Sequence, residues 1–282
     1  MDTKDSPVDP DALIVDNLRL ATHEFDDRRS RLRGPIGALV LAGIIYIVWD
    51  LAVRNALVNE IILPAPHKVI AAFFRTLSEG FFYHHLWATL QEVLIGFFIG
   101  MVMGFGTGVM LGTSRLAREI AYPYVVAFQG LPKVVLAPVF ITAFGFGITS
   151  KVIMAAVISF FPLLVNTETG LATVDRDALK LMRSLNTRRR DVFFKLELPH
   201  SLPSIFAGLK SALTLALVGA IVGEFVGAGE GLGYLLGVYS YQLAIPRVWA
   251  ITVVLALIGV ILFLIVDILD RKIVFWRSSG MG

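Results

Sequence analysis

The stretch Leu86–Leu111, LWATLQEVLIGFFIGMVMGFGTGVML, decides the fold. A helix needs about 20 predominantly apolar residues to cross ~30 Å of hydrocarbon, and this run is longer. Lipid offers no partner to backbone N–H and C=O groups, so a helix, which satisfies its own, is the form such a run takes. Gly96, Gly100, Gly104, Gly108 and Gly112 recur every fourth position and fall close to one face. Without side chains there, a neighbouring backbone can approach closely. Gly208, Ala212, Ala216 and Ala220 repeat the theme further along. Both stripes predict a tight helical bundle rather than a substrate site.

Outward from this run, five more apolar segments of spanning length follow the same logic: Pro35–Val53, Ile120–Phe144, Lys151–Leu171, Ile205–Val226 and Val248–Leu269. The expectation is an all-α, polytopic bundle with six membrane spans. Of the 282 residues 56% are hydrophobic and only 17% charged, with a mean hydropathy of +0.74. A water-soluble domain of this size could not bury that much apolar surface. The chain has no cysteine, which excludes disulfides and thiolate metal sites. Its five histidines form no ligand-spaced cluster, so no metal or other cofactor is expected. The net charge of +3 does not imply nucleic acid, because the basic residues lie between apolar runs, as topology signals do.

Those basic residues orient the chain. Arg28, Arg29, Arg31 and Arg33, then Arg115 and Arg118, then the long loop after the fourth segment, then Arg271, Lys272 and Arg277 all fall on one side. The other side carries Arg54, Lys68, Arg75, Lys151 and Arg247. The positive-inside bias puts both termini in the cytoplasm. Residues 1–33 are polar, without the apolar core and cleavage site of a signal peptide. They are expected to form a cytoplasmic tail, ahead of a membrane domain over 34–282 that starts with a retained helix.

Prolines and glycines mark the interruptions. Leu63-Pro64-Ala65-Pro66 breaks the chain outside the first span. His67–Glu79 then reads as a short amphipathic helix, with Val69, Ile70, Phe73, Phe74 and Leu77 on one side. Pro123, Pro132 and Pro138 predict a kinked or interrupted third span, tolerated where it faces protein or a water-filled cavity. Within it, Gln129 and Lys133 are candidate pathway residues. Lys133 lies ~22 Å along the helix from Arg118, deep in the span. A buried ammonium is costly and faces a pathway or a partner. One reading has Lys133 attracting an anionic solute. The other has it snorkelling to the outer interface or pairing with Glu224, itself a third pathway candidate. The loop Gly227-Ala228-Gly229-Glu230-Gly231-Leu232-Gly233 is expected to be flexible. No strand precedes it, so its glycines do not read as a phosphate cradle, and no G-x-x-x-x-G-K-[ST] occurs in the chain.

The segment Ala172–Pro203 is about 30 residues long, far beyond a tight helix connection. Asp175 or Asp177 can cap a first helix running to about Leu185. Asn186-Thr187 marks a turn. A second helix over Arg188–Leu198 is expected to end at Pro199 and Pro203. Leu181, Leu185, Phe193 and Phe194 offer apolar contacts to a partner's groove, or Arg188, Arg189 and Arg190 hold the segment to anionic lipid.

This segment resembles the "EAA" loop of ABC importer permeases, which reads Glu-Ala-Ala, three residues, Gly, nine residues, then Ile-x-Leu-Pro. Lys180 stands at the Glu position, Leu181 and Met182 at the Ala positions and Asn186 at the Gly, and Leu196-Glu197-Leu198-Pro199 closes the pattern. The Glu-Ala-Ala letters are lost, but Asn tolerates the left-handed turn nearly as Gly does. Phe128-Gln129-Gly130-Leu131-Pro132-Lys133, Phe144-Gly145-Phe146-Gly147, Phe161-Pro162, Ala207-Gly208-Leu209-Lys210, Gly223-Glu224-Phe225 and Gly231-Leu232-Gly233 resemble the nitrate/sulfonate/taurine branch of these permeases. Within that branch the chain is most similar to permeases for pyrimidine vitamin precursors and riboflavin.

The resemblance implies a type I ABC importer permease in a bacterial inner membrane, working as a homodimer or with a related permease. Two ATPase subunits and an external solute-binding protein are the implied partners, beside the bilayer itself. The coupling loop would present Lys180, Leu181, Met182, Arg183, Leu185, Asn186, Arg188, Arg190 and Pro199 to the ATPase. The chain itself would catalyse nothing and would pass a small polar or anionic solute, or a nitrogen heterocycle. The alternative is an ATP-independent secondary transporter or channel. That reading needs intramembrane ionisable residues and inverted repeats, and Lys133 and Glu224 are nearly alone. An intramembrane enzyme would need a metal cluster or a nucleophile–base pair, and neither is visible.

Overall fold

The computed structural model describes residues 37–276, and every described element is helical. The tail over 1–33 and Arg277 lie outside the described residues. The chain divides after His67 into two units. In the first, α1 (Gly37–Arg54) is the expected opening span, and the Trp49 indole N–H donates to the Pro64 carbonyl at 3.1 Å. The break at Leu63–Pro66 leads into α2 (Pro66–Ser78), the expected amphipathic helix.

The second unit is built on three helices in mutual contact: α3 (Gly80–Thr113), α6 (Ile148–Ala172) and α9 (Leu198–Gly227). The glycine stripe of α3 runs along α6. A Cβ at Gly96 would stand 2.8 Å from the Val152 carbonyl, one at Gly104 2.6 Å from the Phe160 carbonyl, and one at Gly108 2.8 Å from the Leu164 carbonyl. On α9, Ala212, Ala216 and Ala220 are fully buried, and a Cβ at Gly219 would meet the Ala155 backbone at 2.8 Å. Small residues let these backbones touch, which is how helices associate where the solvent is as apolar as the side chains. Phe73 and Leu77 of α2 pack on the main apolar core with Phe82, Val93, Leu213 and Leu217, whereas Ile70 and Phe74 remain exposed.

Five described helices are long and apolar enough to span a membrane: α1, α3, α6, the continuous run Arg189–Gly227, and α11 (Ile245–Ile273). The expected third span is bent: α4 (Arg115–Gly130) and Lys133–Phe144 meet at 88°, far sharper than a proline kink, and the pair makes a sixth crossing only if it is one broken span rather than a re-entrant loop. Pro132 supplies no N–H at the corner, a 3-10 turn covers Lys133–Leu136, and Pro138 sits in the first turn of α5 (Ala137–Phe144), where a missing N–H costs nothing.

Two expectations are corrected. Pro199 and Pro203 do not end the second loop helix. After α7 (Arg176–Ser184), the turn α8 (Arg189–Val192) runs through a π-helical turn, Phe193–Glu197, directly into α9. The Leu198 N–H donates to the Phe193 carbonyl, five residues back. Widening the helix there gives the Pro199 ring room against the preceding turn. The glycine loop at 227–233 is also not loose. It is held at three successive N–H groups and followed by a short helix, α10 (Leu232–Tyr241), whose Leu232, Leu235 and Tyr239 are buried.

Candidate functional site

The bend between α4 and Lys133–Phe144 opens a cavity of about 370 Å³, lined by Gln129, Lys133, Ile158, Phe161, Pro162, Val165, Asn166 and Leu215. Gln129 comes from the end of α4, Lys133 from the corner, Phe161 and Asn166 from α6, and Leu215 from α9. The Lys133 ammonium stands 4.9 Å from the centre of the Phe161 ring and donates to the Gln129 carbonyl at a long 3.3 Å. Among the described residues no carboxylate lies within 4.0 Å of it. A half-buried cation that, among the described residues, meets only an aromatic face and a long carbonyl contact keeps most of its capacity to bind an anionic or acceptor-rich solute. Pro162, inside α6, withholds the N–H that the Ile158 carbonyl would otherwise accept. A second cavity, about 580 Å³ and almost wholly apolar, adjoins the first and shares Lys133 and Phe161 with it. Gln129 and Lys133 are thus brought together.

Glu224 is not with them. It is fully buried, and its oxygens accept from the Thr89 hydroxyl and the Gly233 N–H, both at 2.6 Å. The expected Lys133–Glu224 pairing does not form, because Glu224 turns toward α3 and the glycine loop. Phe161 and Asn166 lie in the cavity without having been anticipated as pathway residues. Their signal was Pro162 in an otherwise regular apolar segment, since a proline inside a span exposes polar backbone that needs a cavity.

The long loop forms a capped corner. The Asp175 carboxylate accepts from the Asp177 N–H at 3.0 Å and starts α7. At its end Asn186 adopts φ +54°. Its N–H donates to the Arg183 carbonyl at 3.0 Å, and the Thr187 N–H donates to Met182 at 3.2 Å. These are the two bonds of a Schellman cap, which needs a left-handed residue at this position. Leu181, Leu185 and Phe194 are each more than 60% exposed around the corner. Arg183, Arg188 and Arg190 are exposed beside them, Lys180 pairs with Asp177 at 2.8 Å in the open, and Met182 and Pro199 are half-buried. An exposed apolar patch rimmed by basic residues is the composition of a docking surface.

Ion pairs tie this end of the bundle together. Arg118 of α4 reaches the buried Glu168 of α6 at 2.9 Å. Lys210 of α9 bonds Asp267 and Asp270 of α11, both at 2.7 Å. The first pair joins the bent segment to the helix that leads into the loop.

Residues 93–275 match the family described as binding-protein-dependent transport system inner membrane component. The chain belongs to this family. It is a permease subunit of an ABC importer, a multi-pass inner membrane protein and not an enzyme; ATP hydrolysis resides in a separate subunit. Among relatives, the formylaminopyrimidine transport permease protein ThiX of Halalkalibacterium halodurans is 34% identical, over 83% of this chain and 93% of that one. The riboflavin transport system permease protein RibX of Chloroflexus aurantiacus is 32% identical, over 86% and 91%. The fold is that of a type I importer permease. A crystal form of the inward-facing MetNI methionine ABC transporter superposes with a TM-score of 0.60 at 20% identity, over 68% of this permease and 95% of that chain.

Proposed function

We propose that this permease lines the translocation pathway of an ATP-driven importer for a small planar nitrogen heterocycle or another small polar or anionic solute. The observation that carries the reading is Lys133, a cation without a carboxylate partner among the described residues, set against Phe161 at the bend. Gln129, Asn166 and Lys133 offer hydrogen bonds, and Phe161 offers a stacking face. That set suits a flat ring with acceptor atoms. The names of ThiX and RibX point to cargo of that kind.

Two copies of the chain would enclose the pathway, and an extracytoplasmic binding protein would deliver the solute. Each long loop would seat on one ATPase subunit in the cytoplasm through Leu181, Leu185 and Phe194, with Lys180, Arg183, Arg188 and Arg190 at the rim. Closure of the ATPases would move the loops as rigid handles and rock the bundles between two packed states. The Arg118–Glu168 pair supports this route, since it links the loop-bearing helix to the bent segment.

Reconstitution tests the reading. Vesicles holding the permease, the co-purifying ATPase and the binding protein should accumulate solute only with ATP, and Lys133→Met should reduce uptake with assembly intact. Uptake that continues without the ATPase would establish an ATP-independent carrier instead.

A further inference from the structure

Two cavities meet at the bend after α4, and their walls differ in chemistry. The first, about 370 Å³, offers the Gln129 and Asn166 amides. Asn166 Nδ2 donates to the Pro162 carbonyl at 2.8 Å, which leaves Oδ1 as its acceptor. The second, about 580 Å³, lies between α3, α4, α6 and the segment Lys133–Phe144. Its walls are aromatic: Tyr124 and Phe128 from α4, Phe140 from α5, Phe160 and Phe161 from α6. The Phe160 and Phe161 rings stand edge to face, 4.9 Å between centres. Lys133 and Phe161 line both cavities, and among the described residues that line the second, Lys133 alone is charged.

We infer that the two cavities form one binding site with a polar and an apolar compartment, and that the cargo is an amphiphile. Its anionic or acceptor-rich head sits at Lys133, and its planar aromatic body fills the second cavity. The inference rests on the pathway reading of Lys133 and narrows the cargo. An ammonium at the edge of an apolar cavity favours an occupant that presents negative charge at that point. A wholly polar solute would gain nothing from the second compartment, where its groups would find no partners. An aromatic body gains burial and ring-to-ring contact there.

Tyr124 and Phe128, 68% and 55% exposed, have apolar surface to lose to such a body. The Lys133 ammonium, 4.9 Å from the centre of the Phe161 ring, stands where the two compartments join. Head and body of one molecule therefore reach both from a single anchor. A lipid tail or a helix of a second copy would match the aromatic walls but make no use of Gln129 and Asn166. A cargo with both parts uses the whole site, and each cavity is of the size that ligand pockets have.

Equilibrium binding of acetate, benzoate and 2-naphthoate to the permease–ATPase complex in lipid nanodiscs tests the inference. The three share a carboxylate and differ in the apolar body. The wild type should bind 2-naphthoate about 10-fold or more tighter than benzoate, and benzoate tighter than acetate. Val157→Trp fills the second cavity from α6 and should abolish that ring preference. Ala121→Trp fills it from α4 and should do the same, which covers the case of one variant failing to assemble. Lys133→Met should weaken benzoate and 2-naphthoate alike by about 10-fold. A wild type that binds the three equally, or not at all, overturns the inference; a cavity already filled by lipid or by a second copy would read this way. A ring preference that survives the filled variants reports partition into the bilayer and equally overturns it. If the ring preference fails while the Lys133 dependence holds, the pathway reading stands without this inference. If Lys133→Met changes nothing, both fall.

Discussion

Asn186 and Lys133 are the residues on which the proposed function turns, and each is set by its own chemistry. Asn186 closes α7 at φ +54°, a region that an Asn side chain tolerates and a β-branched one does not. Asn186→Val should destabilise the corner by about 1–3 kcal/mol, read as faster amide exchange over 176–190 and weaker ATPase binding. Asn186→Gly should leave both close to wild type. At Lys133 the charge is the point. Lys133→Met should lower solute uptake about 10-fold or more, the scale of one charge-assisted hydrogen bond, whereas Lys133→Arg should retain most of it. Transport assays in vesicles check both variants. Glu224 is the counter-example. A lone carboxylate near the end of a span reads as a pathway residue, and only its buried contacts with Thr89 and Gly233 reveal that it holds a loop.

Among the elements, α3 separates packing glycines from idle ones. Gly104 faces α6, where a Cβ would stand 2.6 Å from the Phe160 carbonyl, while Gly106 has open space within 4 Å. Gly104→Leu should cost about 1–3 kcal/mol or more through overpacking and lower the thermal midpoint of the purified permease. Gly106→Ala should be neutral or stabilise by up to about 1 kcal/mol, because Ala loses less backbone entropy in a helix than Gly does. The third apolar segment shows where element-level reading falls short. Three prolines predict an interruption, but the 88° corner depends on what α6 and α9 leave open beside it. The run into α9 errs the other way. Proline rules place a helix end at Pro199, and the π-turn at Phe193–Glu197 absorbs the ring because α9 must continue to pack along α6.

At the scale of the molecule, ion pairs join the helices on either side of the loop-bearing α6 and α9. Arg118–Glu168 ties α4 to α6, and Lys210 ties α9 to Asp267 and Asp270 of α11. The basic rim of the corner then predicts how assembly responds to charge. Reversing Arg188 and Arg190 to Glu should release the ATPase from the detergent-solubilised complex without unfolding the permease, since both side chains are exposed. The wild-type complex should weaken as salt rises, because rim charges act through screened solvent. Co-purification at low and high ionic strength checks both statements.

The all-helical membrane bundle, its tight packing, the amphipathic α2 and the left-handed corner at Asn186 were determined by the sequence alone. Each depends on local properties: apolar run length against bilayer thickness, spacing of small residues, and tolerance of one backbone angle. The meeting of Lys133 with Phe161, the ties from Glu168 and Lys210, the helix α10 and the enclosure of Glu224 were decided only by the tertiary structure. Those features join residues far apart in the chain, and a charged side chain in an apolar segment does not disclose which neighbour will satisfy it until the helices have packed.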